Sequence, residues 1–145
     1  MADNGSLASL HTALIDASNG YDEAIRDADQ PELKAIFGRL KLAHEKAHAE
    51  LHHLLLARGL KPDDGGSFMS TVHKTIISVR SAVTGLNDEA LSAFAEGEER
   101  IVEDYKRAIE GNRDDAAVVG LLERQKEALK DEIRVMRATA DGKLG

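Results

Sequence analysis

Apolar residues recur at helical spacing in four separate stretches of the chain. The first runs Leu7, Leu10, Leu14, Ala17, Tyr21, Ile25, and the second Leu33, Ile36, Phe37, Leu40, Ala47, Leu51, Leu54. The third runs Leu91, Phe94, Ile101, Val102, Tyr105, Ile109, and the fourth Val118, Leu121, Leu122, Leu129, Met136. Steps of three and four gather such residues on one side of an α-helix. Each stripe must be buried against another, so four of them predict an all-α four-helix bundle.

Local signals set the boundaries. Asn4 to Ser6 offer caps for a first helix ending near Ala28, and "DQPEL" supplies a turn with Pro31 at a first helical position and Glu32 in the first turn. The second helix runs to about Arg58, where Gly59 and then Pro62 in "RGLKPDDGGS" stop it. Asn87 or Asp88 caps the third helix, which ends near Glu110 at "EGNRDD". Asp114 or Asp115 opens the fourth, predicted to last to about Ala138 before the tail "DGKLG" frays. One domain spans 1–145, with its core between about 6 and 138.

Between the second and third helices Ser67 can cap a shorter one, over about 68–83, with Phe68, Met69, Val72, Ile76, Val79 and Val83 on one face. At about 25 Å long it could return the chain from one end of the bundle to the other. The first two helices then form one antiparallel hairpin and the last two a second, joined by the crossover helix, with the second and third helices parallel, as in ferritin-like folds. A faint repeat agrees: "YDEAI" from Tyr21 and "YKRAI" from Tyr105 each precede their hairpin's bend.

Composition narrows the partners. With 26 acidic against 19 basic residues the net charge is −7, and no Lys/Arg cluster offers a footprint for phosphates, so nucleic acid is not expected. No apolar run approaches the roughly 20 residues needed to span a bilayer, and "MADNGSLASL" lacks the basic start and apolar stretch of a leader, so the expectation is a soluble cytoplasmic protein without a membrane partner. No cysteine is present, so any metal must take His, carboxylate or amide ligands.

Candidate chemistry depends on which polar residues face inward. On the second helix, "AHEKAHAELHH" places His44 within about 30° of the stripe centre, His48 at roughly 70° and Glu45 at roughly 130°. The Glu-x-x-His formed by Glu45 and His48 therefore reads as accidental. His44, His48 and His52 make an i, i+4, i+8 ladder slanting toward solvent, with His53 further out. Glu98 falls mid-stripe on the third helix, where a carboxylate must be paired, liganded or protonated, since a bare one costs on the order of several kcal/mol. Gln125 and Glu132 fall inside the fourth stripe and Glu127 outside it. The first helix offers Ser18 and Tyr21 inward, His11 on the shoulder and no inward carboxylate.

Counted from the bends, His44, Glu98 and Gln125 share the mid-height of the bundle. Two readings follow. A closed hydrogen-bond network without cofactor is favoured, because such a cluster can fix helix register by itself. The alternative is a divalent metal (Fe, Mn or Zn) held among His44, His48, Glu98, Gln125 and Glu132. Full di-iron chemistry wants more inward carboxylates than these. His52, His53, "EGEER" and "DDAA" read as solvated faces and caps.

Tyr21 with Ala24, "PELK", "GSF" followed by "H", "SAVTG-x-x-DEAL", "GEE", and Tyr105 with Ala108 resemble, from about Leu10 to Arg137, a bacterial family of ferritin-like four-helix-bundle proteins that forms a domain of unknown function. The resemblance implies the ferritin-like fold and a bacterial origin and brings no activity. Tyr21, Glu98 and Tyr105 match positions typical of the family, while the histidine ladder lies outside its pattern. The leading expectation is a non-enzymatic protein in stress response or metal handling, with no small-molecule substrate identified. The alternatives are a di-iron-like oxidoreductase or ferroxidase, and a helical interaction module marked by a leftover apolar strip. Ile15, Val119, Val135 and the crossover helix leave apolar residues off the main faces, which points to a homodimer.

Overall fold

The computed structural model describes residues 4–28, 30–60 and 90–140, and among them it contains four helices and no strand. These are α1 (Asn4–Asp27), α2 (Pro31–Ala57), α3 (Ala90–Gly111) and α4 (Ala116–Ala140). Observed ends fall within a residue or two of the sequence signals. The predicted crossover helix over 68–83, its cap at Ser67, the caps Asn87 and Asp88, and the tail lie outside the described residues. No helix among the described residues is long and apolar enough to cross a membrane.

Two of the ends show how local chemistry stops a helix. Pro31 opens α2 at a position where its missing N–H is no loss. At the other end Gly59 takes φ of 76°, its N–H bonds the Leu56 carbonyl at 3.0 Å, and the Leu60 N–H bonds the Leu55 carbonyl at 3.0 Å. That is a Schellman turn, which needs a residue without Cβ penalty at the left-handed position. Leu60 then packs back against the core that contains Leu55.

Asp115 links two helix ends. Its Oδ1 accepts the Val118 N–H at 3.3 Å, capping α4, and its two oxygens take the Arg58 guanidinium at 2.8 and 2.7 Å. Desolvation alone would raise the Asp115 pKa, but the Arg58 bonds and the amides of Val118 and Ala117 outweigh it and hold the carboxyl below its ordinary value. Asp115→Ala should therefore cost about 1 kcal/mol, the usual worth of a cap. Because the folded pKa lies below the unfolded one, that contribution is present above about pH 4 and fades as the pH falls through the folded pKa. Urea titrations of both proteins at neutral pH and near pH 3 check the size and the sign; a difference that grows on acidification would refute it.

α1 packs along α2 and α3 along α4, while α1 also lies against α3 and α2 against α4. Contacts along the helices give their senses. Tyr21 and Phe37, then His11 and His52, are partners across α1 and α2, which are antiparallel. Tyr105 with Gln125 and Glu99 with Arg137 make α3 and α4 antiparallel as well. Phe37 meets Phe94, and further along both helices His44 meets Glu98, so α2 and α3 advance in the same sense.

The core is one cluster drawn from all four helices. Leu7, Leu10 and Leu14 of α1, Leu33, Leu40 and Leu51 of α2, Leu91 of α3 and Leu122 of α4 are all buried. Near the bend of the first hairpin, Tyr21, Phe37 and Phe94 form an aromatic trio, with ring centroids 4.9 to 5.8 Å apart and tilted planes. Leu42 and Leu56 remain exposed on the outer side of α2.

Candidate functional site

Immediately above the aromatic trio, one buried carboxylate joins three helices. Glu98 lies in the core at 3% exposure because its position on α3 falls between Phe94, Ile101 and Tyr105. The Tyr21 hydroxyl donates to its Oε1 at 2.9 Å. His44 Nε2 lies 2.8 Å from Oε2 and 3.0 Å from Oε1. Both Glu98 oxygens are thereby engaged, one by the Tyr21 hydroxyl and both by the His44 ring nitrogen. The imidazole also stacks near the Tyr21 ring, at 5.9 Å and 14°. Burial first, and then the Glu98 charge, push the Tyr21 pKa well above its ordinary value, so the hydroxyl stays a donor.

A second polar set sits beside the first without joining it. Tyr105 donates to Gln125 Oε1 at 2.9 Å, and Gln125 Nε2 donates to the Ala47 carbonyl and to Glu50, both at 3.1 Å. Burial, then the charges of Glu98 and Glu50, raise the Tyr105 pKa. Gln125 thus ties α4 to the backbone of α2, and it does not complete a triad with His44 and Glu98.

Glu132 is half-buried and turns to the Arg39 guanidinium at 2.7 Å. Glu45 points outward, as its angle on α2 implies, and pairs with Lys41 at 3.3 Å. His44 and Glu98 are therefore brought together, while Gln125, Glu132 and His48 each go elsewhere.

His48 belongs to a separate cluster on the flank of the first hairpin. Its ring centroid lies 4.3 Å from that of His11 and 5.6 Å from that of His52. His11 Nε2 faces His52 Nδ1 at 2.9 Å. One nitrogen from each of the three rings lies within 4.8 Å of the others. His11 is fully buried, not on a shoulder, and His48 and His52 are half-buried. Hairpin height was the signal available for this set: counting back and forward from the bend places His11 beside the turn of His48.

The expectation that α1 offers no inward carboxylate is corrected by Asp16, which is 1% exposed. It borders a cleft of about 740 Å³ between α1 and α3, whose wall also includes Tyr21, Gly97 and Glu98. Packing against both α2 and α3 buries a broader arc of α1 than its leucine stripe marks.

A family model described as "Domain of unknown function (DUF2383)" matches residues 4–111. No curated protein matches the chain.

Proposed function

The chain belongs to this family of unknown function, and on that premise we propose that it is a ferritin-like bundle that works without catalysing a reaction, in metal handling or a stress response. The ferritin-like arrangement is supported by the helix senses. Two antiparallel hairpins whose inner helices run parallel are what a single crossover connection produces.

The observation that carries the non-enzymatic reading is the state of Glu98, whose two oxygens are engaged by Tyr21 and His44. A di-iron oxidase of this fold draws a Glu from each of two helices and a Glu-x-x-His from each of the other two, all pointing inward. Here Glu98 is followed three residues later by Ile101, and the Glu-x-x-His of Glu45 and His48 has its carboxylate outside. Asp16 and Glu98 are the buried carboxylates among the described residues. The centre therefore has the ligand economy of a register-fixing network, with one carboxylate, one imidazole and one phenol satisfying each other.

Oxygen uptake on adding Fe²⁺ in air tests this. The wild type and Glu98→Gln should both oxidise iron at the rate of buffer alone. An acceleration by the wild type that Glu98→Gln abolishes would replace this reading with a ferroxidase.

A further inference from the structure

We propose that His11, His48 and His52 form a binding site for a borderline first-row divalent cation, Zn²⁺ foremost. The proposal deepens the metal-handling side of the function given above, yet it stands on residues that take no part in the central network.

The site follows from helix geometry. His48 and His52 stand one turn apart on α2, so their rings project from the same face. The antiparallel α1 brings His11 against them, and the three rings crowd together with centroids 4.3, 5.1 and 5.6 Å apart. One nitrogen from each ring lies within 4.8 Å of the other two. Ligands about 2.0–2.1 Å from a tetrahedral Zn²⁺ are roughly 3.3 Å apart, so small side-chain rotations close the set. His11 Nε2 and His52 Nδ1, at 2.9 Å, already point at one another. For a cation to take both nitrogens, the proton held between them must shift to the other nitrogen of its own ring, so that each imidazole binds in its neutral form.

Burial completes the argument. His11 is fixed in the core at 0% exposure and supplies a preorganised ligand from within. His48 and His52 are half-buried, so the cluster reaches the protein surface on their side. Three imidazole donors match the preference of Zn²⁺ and, in the same class, Cu²⁺ and Ni²⁺. The oxygen-seeking Mg²⁺ and Ca²⁺ are excluded by the same donor set.

Isothermal titration of the tag-free full chain with ZnCl₂, with MgCl₂ in parallel, decides the matter. One Zn²⁺ per chain is expected, with no heat of binding from Mg²⁺. His48→Ala and His52→Ala change half-buried residues and should keep the helical circular dichroism of the wild type. Each should weaken Zn²⁺ binding by more than the roughly 10- to 100-fold that an outer partner of a metal ligand is worth. His53→Ala, next to the site but exposed, should bind as the wild type does. So should Glu98→Gln, which touches only the central network and so separates failure of this site from failure of the reading above. Absence of binding by the wild type, undiminished binding by His48→Ala/His52→Ala, or loss of binding in His53→Ala or Glu98→Gln would overturn the assignment.

Discussion

Glu98→Ala should lower the free energy of unfolding by about 2–4 kcal/mol, from the cavity left in the core and the buried polar partners left unpaired. Tyr21 would keep a buried hydroxyl without its acceptor, and His44 a buried ring nitrogen without its carboxylate. Glu98→Gln should cost less than about 1.5 kcal/mol, near the net worth of one hydrogen bond. The amide preserves the volume, its oxygen can accept from Tyr21, and His44 can carry its proton on Nδ1 and accept the amide N–H. Urea unfolding with an unchanged m-value and a shifted midpoint measures both. Equal losses for the two variants would mean that hydrogen bonding at Glu98 is not what holds this part of the core. An Ala variant as stable as the wild type would mean the network contributes nothing.

Phe37→Ala should cost more still, about 3–5 kcal/mol, the range for truncating a fully buried aromatic. Phe37 is 0% exposed and fills the space between Tyr21 of α1 and Phe94 of α3. Alanine's better helix propensity returns about 0.5 kcal/mol at most. For a chain of this length the melting temperature should fall by on the order of 10 °C. Leu42→Ala on the same helix provides the comparison. Leu42 is 65% exposed, and its loss should stay within about 0.5 kcal/mol. Thermal unfolding followed by circular dichroism reads both. Similar shifts for the two variants would contradict the burial described here.

Legibility in the sequence followed the range of the forces involved. Pro31, Gly59 and Asp115 end or open helices through backbone constraints and bonds set within a few residues, so they could be read directly. The inward direction of His44 and Glu98 was legible from angle alone, and their pairing from height along the hairpins. The errors lie where a helix meets more than one partner or where a side chain is long. α1 is buried on the sides facing both α2 and α3, which takes in His11 and Asp16 beyond the leucine stripe. On α4 the buried line runs Leu122, Leu129, Ile133, Met136, slightly rotated from the predicted stripe. That rotation leaves Gln125 and Glu132 at its edge, where long side chains can reach outward to Glu50 and Arg39 while their stems stay covered. No local pattern announces a three-histidine cluster, because it exists only once α1 and α2 are in register.

The position of Glu98's partners also bears on the order in which the molecule assembles. Tyr21 and His44 belong to the first hairpin and Glu98 to the second, 77 and 54 residues away in the chain. Contacts within each hairpin are closer in sequence and gain their free energy after a smaller loop closes. The Tyr21–Glu98–His44 bonds can close only once the two hairpins are docked against each other. They should therefore add little to the speed of folding and act chiefly on its reversal, as a latch on the docked hairpins, so that Glu98→Ala speeds unfolding more than it slows folding in stopped-flow urea jumps.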